Sequence, residues 1–236
     1  MATSTVEDYL KCILVAGLES PGELVTMGRI ASSLSVAPGT VTSMVKTLSK
    51  SGLVSYEPYS GVELTPEGRQ LATHVLRRHR LIELFLVRIL GLDWSDVHAE
   101  AERLEHAVSD RIVERIDEML GRPSVDPHGD PIPDAAGQFV ESRGSSLLDC
   151  PLGERVRVER VTDQSGDFLR LAEREGLMPG DELRVTSRDR AAETVMVETV
   201  SGRAISLGDR AASKIQVVAI EAEPVGTGSD SAAGSV

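Results

Sequence analysis

The alternation of apolar and polar positions predicts three helices at the start of the chain. Over 4–18 the apolar residues recur at helical spacing, with Ser4 or Thr5 as the candidate N-cap. Two shorter segments with the same periodicity follow at 26–34 and 38–51. Because a connection of only three residues joins these two segments, they predict a helix-turn-helix, whose second helix enters the major groove of DNA.

A short β-hairpin is predicted directly after this pair of helices. The segment LVSYEPYSGVELTPEGR, residues 53–69, reads as two strands around the turn Tyr59-Ser60-Gly61. A hairpin in this place is typical of the wing of a winged helix. We therefore expect residues 1–73 to form a winged helix-turn-helix DNA-binding domain. The alternative is a helical pair with a hairpin that has no nucleic-acid role.

Two longer helical segments follow, and their pattern predicts a homodimer. The first, 66–90, is expected to carry four arginines on its outer surface: Arg69, Arg77, Arg78 and Arg80. The second, 95–120, presents a nearly continuous apolar face: Val97, Ala101, Leu104, Val108, Ile112, Val113, Ile116, Met119 and Leu120. One short neighbour cannot cover so much apolar surface. A two-fold dimer would place the two recognition helices about 34–36 Å apart.

The last part of the chain predicts a small β domain. Residues 121–149 are rich in proline and glycine, and we expect 138–149 to be a linker. Over 150–221 short alternating segments indicate an antiparallel barrel with one helix at 167–175. The tail 222–236 has too little apolar content to fold and is expected to be disordered. The predicted fold class is mainly α with a small all-β domain.

Composition limits the partners of this chain of 236 residues. The net charge of −12 argues against DNA binding by the whole surface, but residues 1–80 hold eight basic against seven acidic residues. No apolar run approaches the roughly 18–20 residues that span a bilayer, and the N-terminus does not resemble a signal peptide. The two distant cysteines, Cys12 and Cys150, are expected to be reduced thiols. We expect a cytoplasmic protein with no membrane partner.

The second helix of the helix-turn-helix carries the candidate DNA contacts. Its leading turn offers free amides and short hydroxyl side chains, which can reach phosphates or base edges. Two lysines further along the helix suit the phosphate backbone. With one arginine from the preceding helix and the tip of the wing, the candidate set is Arg29, Ala37, Pro38, Gly39, Thr40, Thr42, Ser43, Lys46, Lys50 and Tyr59.

Imidazoles and carboxylates are concentrated in the long helical segments. His79 and Glu83 stand in H-x3-E spacing. The next segment has the spacing H-x3-E-x2-E-H: His98, Glu102, Glu105 and His106. Residues three or four apart share a helix face, and this donor set suits Mn, Fe, Co, Ni or Zn, so we interpret it as a metal site. The alternative is a solvated face with weak ion pairs. We expect His128 to be a turn residue rather than a ligand.

Six motifs in order give the chain a resemblance to a known family: EDYLK, VAPGTVTSMVKTLSKSGLV, LTPEGR, RRHRLIELFL, VHAEAERLEH and HGDPIP. The chain resembles the diphtheria-toxin-repressor family of metal-dependent transcriptional regulators. The resemblance implies a homodimeric repressor that binds a palindromic operator and controls metal-homeostasis genes. It also implies a helical metal-binding and dimerisation domain at 74–137 and an SH3-like (FeoA-like) domain at 150–221.

The resemblance further implies two metal sites. The primary site would use Asp8, Glu102, Glu105 and His106. The ancillary site would use His79, Glu83, His98, Gln164 and Asp167. Asp8 and Glu102 are Met and Cys in iron-type members, so their oxygen ligands favour Mn²⁺, with Fe²⁺ as the alternative and Co²⁺ or Zn²⁺ as surrogates. Lys11 replaces a metal-bridging Glu of small manganese regulators, and we therefore expect two separate sites.

Two other function classes compete with the repressor. In a metal enzyme, Glu102 or Glu105 would act as a base, but the sequence offers no nucleophile or phosphate loop. In a metal-independent adaptor, the helix-turn-helix would bind DNA and the barrel would bind a protein. We expect a DNA-binding regulator that is not an enzyme and has no small organic substrate.

Overall fold

The first domain begins with three helices that pack around a common core. The computed structural model describes residues 3–139 and 144–220, and these helices are α1 (Ser4–Glu19), α2 (Met27–Ser33) and α3 (Pro38–Lys50). Thr3 caps α1 by accepting a hydrogen bond from the Val6 amide, so the expected cap at Ser4 or Thr5 is wrong by one residue. The helix-turn-helix lies within one residue of its predicted bounds.

The predicted wing is a two-stranded antiparallel hairpin. It consists of β1 (Val54–Glu57) and β2 (Gly61–Leu64), and a single bridge from Val25 to Val62 joins it to the segment before α2. Gly61 permits this close approach, because a Cβ there would lie 2.8 Å from the Val25 carbonyl oxygen. The hairpin therefore packs on the helical core, and the winged helix-turn-helix is confirmed.

Three further helices form the second domain: α4 (Pro66–Arg88), α5 (Val97–Leu104) and α6 (Asp110–Met119). The expectation of one continuous helix over 95–120 is wrong. The backbone at Ser109 has φ −72° and ψ 154°, an extended conformation that ends helical continuity and serves as the N-cap of α6. Ser-Asp is a typical helix-start pair, and here it outweighs the continuous apolar periodicity.

Most of the arginines expected on the outer surface of α4 face inward. Their guanidinium groups donate to backbone carbonyls of later segments: Arg77 to Pro133, Arg78 to Glu105 and Arg80 to Pro131. Of the four, Arg69 is the one that stays exposed. These hydrogen bonds attach the chain after α5 and after α6 to α4, which thereby becomes the central scaffold.

The apolar face of 95–120 is partly buried within the chain. Val97 and Ala101 pack on Ile82 and Leu86 of α4. Val113 and Ile116 pack in a second cluster with Leu81 and Leu84. The apolar side chains that stay exposed on α6 are Ile112, at 52%, and Met119, at 64%. The surface left for a partner is therefore smaller than the sequence pattern predicted.

The third domain is an antiparallel six-stranded sheet in the order β3-β8-β4-β5-β6-β7. Its elements are β3 (Ser145–Ser146), β4 (Arg155–Val161), α7 (Gly166–Glu175), β5 (Glu182–Asp189), β6 (Thr194–Thr199), β7 (Ala204–Gly208), α8 (Asp209–Ala212) and β8 (Ile215–Ala219). The sheet thus begins at 145, inside the segment that the sequence assigned to the linker. The expected tail at 222–236 lies outside the described residues.

Trp94, from the loop after α4, belongs to the core of this β domain. The loop that follows α4 therefore packs against the sheet domain. Among the described helices, none has the length and apolar character required to cross a bilayer.

Candidate metal centre

The predicted ligands converge where α1 and α5 flank the middle of α4. Asp8 lies on α1, whereas His79 and Glu83 lie one turn apart on α4. His98 and Glu102 likewise share one face of α5. Glu105 and His106 follow at the end of that helix, where the chain turns toward α6. A cleft of about 520 Å³ reaches Asp8, His98 and Glu102 from solvent.

His106 links this end of α5 to α1. Its Nε2 lies 2.8 Å from Asp8 Oδ1 and 3.3 Å from Glu105 Oε1. Its Nδ1 donates to Glu7 Oε2 at 2.9 Å, which holds Nε2 toward Asp8. Burial lowers the pKa of His106, but the hydrogen bonds with Glu7 and Asp8 and the charge of Glu105 raise it overall. Glu7 was not among the predicted site residues, although its place beside Asp8 on α1 was a signal.

Lys11 occupies the space between the two groups of ligands. Its Nζ donates to Glu102 Oε1 and to Glu105 Oε1, each at 2.7 Å, and the residue is only 8% exposed. Burial lowers the pKa of Lys11, but the charges of Glu105 and Glu102 raise it above its usual value. The ammonium is therefore a fixed internal counter-ion, and Glu102 faces it rather than His106.

The second group is centred on His79. Its Nε2 lies 3.0 Å from Glu83 Oε1 and 3.2 Å from His98 Nδ1. On the other side of the ring, Nδ1 donates to Glu105 Oε2 at 2.6 Å. A carboxylate behind an imidazole fixes its tautomer and directs the opposite nitrogen to a metal. Glu105 thus contributes to both groups, with one oxygen toward each.

The charges of the second group are strongly coupled. Burial lowers the pKa of His79, but the charge of Glu83 and the hydrogen bonds from Glu105 and Glu83 raise it to about 9. Burial likewise raises the pKa of Glu83, but the charge of His79 and the hydrogen bonds to both His79 and His98 hold it well below its usual range. At neutral pH the group is an ion pair surrounded by further acids.

The two side chains expected from the sheet domain do not reach this group. Gln164 Nε2 donates to Asp130 Oδ2 at 2.7 Å. Asp167, in the first turn of α7, has a side chain that is 98% exposed and accepts a hydrogen bond from Arg170 at 2.8 Å. In this structure the two side chains contact Asp130 and Arg170 rather than His79 and Glu83, so their role as ancillary ligands stays a prediction.

His128, which the sequence predicted to be a turn residue, lies in a turn but is completely buried. Its ring faces Glu83 from the side opposite His79, and it stacks on Trp94 with ring centroids 5.6 Å apart. Asp126 lies beside it; burial and the charges of Asp130 and Glu83 raise the pKa of this carboxyl well above its usual range. Periodicity gave no signal for these contacts, because the residues come from an irregular loop.

The proposed DNA-reading helix presents an open N-terminus. Ala37, its N-cap, provides no side-chain hydrogen bond, Pro38 has no N–H, and the Thr40 amide donates to the Ala37 carbonyl at 2.9 Å, which leaves the Gly39 amide to bind a phosphate. The exposed candidates on α3 are Pro38, Gly39, Thr40, Ser43, Lys46 and Lys50. Thr42 donates its hydroxyl to the Pro38 carbonyl at 3.0 Å, and Tyr59 is fully exposed at the tip of the wing. Arg29 pairs instead with Glu19 and Ser20 at the end of α1.

The donor set of the centre fits divalent transition metals. Three combinations of donor atoms here lie within 4.8 Å of one another: Asp8 with Glu105 and His106, His79 with Glu83 and His98, and His79 with Glu102 and Glu105. All are oxygens and imidazole nitrogens, which suit Mn²⁺, Fe²⁺, Co²⁺ and Zn²⁺. Thiols contribute to none of these groups within the described residues.

Comparison with known proteins agrees with this arrangement. The profile described as "Iron dependent repressor, N-terminal DNA binding domain" matches residues 1–62. The profile for the metal binding and dimerisation domain of the same family matches 65–134, and a FeoA domain profile matches 145–219. The three profiles follow the three domains of the fold in order.

Individual relatives match over almost their whole length. The diphtheria toxin repressor of Corynebacterium efficiens is 33% identical over 229 residues, which cover 92% of this chain and 96% of that protein. The iron-dependent repressor IdeR of Mycobacterium leprae is 32% identical over 226 residues, or 90% and 96% of the two chains.

Two solved structures also match this chain over almost its whole length. A manganese-dependent transcriptional repressor in complex with manganese has a TM-score of 0.85 and 40% identity, covering 91% of this chain and 100% of its own. ScaR with bound Zn²⁺ has a TM-score of 0.75 and 36% identity, covering 91% and 99%. Because these matches extend through all three domains, the chain belongs to the diphtheria toxin repressor family, whose members are metal-dependent, DNA-binding transcriptional repressors and not enzymes.

Proposed function

We propose that this protein is a manganese-dependent homodimeric repressor that binds a palindromic operator and controls genes of metal homeostasis. The observation that supports this most strongly is the composition of the centre. Its donor groups combine carboxylates and imidazoles, no cysteine of the described residues contributes to them, and hard oxygen ligands suit Mn²⁺. Fe²⁺ is the second candidate, because the relatives include iron-dependent repressors as well as a manganese complex.

Asp8, Glu105 and His106 would hold the primary cation, and His79, Glu83 and His98 the ancillary one. When bound, each cation supplies positive charge that neutralises converging carboxylates. Lys11 already neutralises part of the charge of Glu102 and Glu105. The acids of α1 in this group are not neutralised in this way, and they repel Glu105. They lie on the first helix of the DNA-binding domain.

This placement connects the centre to the recognition helix. α1 packs on α2, on β2 and on α4, and it shares one apolar core with α3. The pair Asp8–His106 fixes α1 relative to the end of α5 and hence to α6. A cation stabilises the arrangement in which α1 is held against the end of α5, because it binds this arrangement more tightly than one in which α1 has separated. Such coupling is typically about 1–3 kcal/mol. The position of α3 on the dimer therefore depends on the metal.

The dimer would form through α6 and the end of α4. Ile112 and Met119 project from α6, and Ile89 and Leu90 are 48% and 56% exposed just after α4. Exposed aliphatic side chains in the domain whose profile is named for dimerisation are suited to a two-fold contact.

The test is DNA affinity measured with different metals. Operator DNA is first selected from a random pool by Mn²⁺-loaded protein, and its affinity is then measured by fluorescence anisotropy at fixed salt, because salt alone changes affinity strongly. We expect tight binding with Mn²⁺, weaker binding with chelator and a palindromic selected sequence. Tighter binding with anaerobic Fe²⁺ at equal free metal would assign the effector to iron, and equal affinity with and without any metal would refute the switch.

A further inference from the structure

A buried group of metal-type donors lies behind the ancillary site, on the far side of Glu83. His128 is 0% exposed, Glu83 1% and Asp126 4%. His128 Nδ1 lies 4.0 Å from Glu83 Oε2 and 4.0 Å from Asp126 Oδ1. Donor atoms of the three residues come within 4.8 Å of one another. Neither of these two His128 distances is short enough for an ordinary hydrogen bond.

The tautomer of His128 defines the chemistry of this group. Its Nε2 lies 2.9 Å from the Trp94 carbonyl oxygen. A carbonyl can only accept, so Nε2 carries a hydrogen, and in the neutral tautomer the lone pair of Nδ1 faces Glu83 and Asp126. The ionised Glu83 carboxylate also only accepts, and Asp126 becomes an acceptor as well when a cation displaces its proton. With Asp126 ionised, three acceptors face one another in a buried space.

Two atoms of this group have no hydrogen-bond partner. His128 Nδ1 and Asp126 Oδ2 are buried and lack a hydrogen bond to any described residue. Arg80 Nε forms a long ion pair with Asp126 Oδ2 at 3.6 Å, while another nitrogen of the same guanidinium donates to the Pro131 carbonyl. Buried polar atoms are normally satisfied, so unpartnered atoms in such a group require an explanation.

The loop holds these residues in place. Asp126 Oδ1 accepts the amides of His128 and Asp130 at 2.8 and 2.9 Å, which leaves Oδ2 directed away from the turn. Gly129 has φ +87°, and a Cβ there would lie 2.0 Å from the Glu159 carbonyl oxygen. The turn is thus preorganised before any ligand arrives.

We propose that Glu83, Asp126 and His128 bind a further divalent transition-metal ion, which shares Glu83 with the His79–His98 site. Ligand atoms lie about 2.0–2.2 Å from such an ion, so two of them can be up to about 4.4 Å apart. His128 Nδ1 is within this limit of Glu83 Oε2 and of Asp126 Oδ1, at 4.0 Å from each. Glu83 serves both sites because Oε1 contacts His79 and His98, whereas Oε2 faces His128.

The additional site connects metal binding to the sheet domain. The His128 carbonyl accepts the amide of Val161, the last residue of β4, at 2.9 Å. Asp130, two residues further on, accepts from Arg160 and Gln164. The loop that carries the site is therefore bonded to the sheet domain, which the cation would fix to α4. This inference extends the proposed function, since it shares the ancillary ligand Glu83.

Metal stoichiometry tests the inference, with Mn²⁺ itself as the probe. Full-length protein is dialysed against Mn²⁺, and bound metal is measured by plasma emission. We expect three ions per chain in the wild type and two in Asp126→Asn, which keeps the shape and the amide contacts of the turn. Asp130→Asn is the matched control on the same loop and is expected to retain three. Glu83→Gln is expected to retain one, because it removes the shared ligand.

Two ions per chain in both the wild type and Asp126→Asn would overturn the additional site. If that protein still bound DNA in a Mn²⁺-dependent way, the proposed function would stand, so the two failures are distinguishable. Should the variants unfold, crystals of wild type with Mn²⁺ decide independently. Anomalous scattering near the manganese edge must then show a peak between Glu83 and His128, and peaks at the other sites alone would refute the inference.

Discussion

Lys11 sets the charge balance of the metal centre at the scale of single residues. Its ammonium lies between Glu102 and Glu105, and the Glu105 side chain is completely buried. By the family resemblance, Lys11 replaces a metal-bridging Glu, and for that reason we expected two separate sites. It separates the primary group from the ancillary group while Glu105 joins them through His79.

We expect Lys11→Met to destabilise the metal-free protein by about 2–4 kcal/mol, because it leaves Glu105 as a buried charge with fewer partners. Saturating Mn²⁺ should reduce this loss, since a cation then neutralises the same acids. Urea unfolding with and without Mn²⁺ measures both values, and the exposed Lys50→Met is the control. A loss below about 0.5 kcal/mol without metal would contradict the assigned role.

Substitutions of Asp8 and of Lys46 should affect metal binding and DNA binding differently. Asp8→Ala should weaken Mn²⁺ binding at least about tenfold and with it metal-dependent DNA binding. Lys46→Ala should leave Mn²⁺ affinity unchanged, weaken DNA binding and reduce the salt slope by about one. Calorimetry with Mn²⁺ and anisotropy with DNA give the two affinities. Equal Mn²⁺ affinity in wild type and Asp8→Ala would remove Asp8 from the site.

His79 makes metal binding dependent on pH. Because its pKa is raised to about 9, the imidazole carries a proton at pH 7 that a cation must displace. Mn²⁺ affinity should therefore rise with pH up to about 9, by as much as about tenfold per unit, and fall as the pH is lowered. Calorimetry in buffers of different ionisation enthalpy should show about one proton released at pH 7. Release of no protons would contradict this protonation state.

At the scale of elements, helical periodicity predicted the helices of the first domain and two-residue alternation predicted the strands, but neither predicted the route of the chain around α4. Arg77 and Arg80 appeared to be outer residues because their carbonyl partners, on Pro133 and Pro131, lie more than fifty residues later in sequence. The break at Ser109 was masked by apolar positions on both sides of it. Non-local hydrogen bonds of this kind leave no trace in local pattern.

The candidate metal centre likewise divides into residues that local spacing identified and residues that it did not. His79, Glu83, His98, Glu105, His106 and Asp8 were found from spacing and resemblance, and the structure brings their side chains together. The contacts of Glu7 and His128 were missed, and Asp167 pairs with Arg170 rather than with the ancillary group. Their environment depends on the turn after α5 and on two irregular loops, whose conformations are determined by tertiary contacts rather than by spacing.

The exposed face of α6 carries a prediction about assembly. Ile112→Glu should convert the dimer into monomers, because it places a charge in the proposed apolar contact. Val200→Glu is the control, since Val200 is 72% exposed on the sheet domain. Light scattering after size exclusion reports the mass. A dimer that persists in Ile112→Glu would place the interface elsewhere.

For the whole molecule, the three domains meet at α4 and the loop that follows α6. α1 brings the DNA-binding domain to one side of the metal centre, and the loop around His128 brings the sheet domain to the other. One continuous set of acids and imidazoles therefore lies between the recognition helix and the sheet domain. We infer that the metal acts by fixing these domains in one arrangement.

Single-molecule energy transfer between the two recognition helices of the dimer tests this claim most directly. Dyes are attached at Ser43→Cys in a Cys12→Ser background, where Cys150 is buried. With Mn²⁺ we expect one narrow distribution, consistent with helices about 34–36 Å apart, and with chelator a broad one. The same narrow distribution in both conditions would contradict the account, because the recognition helices would then be positioned without the metal.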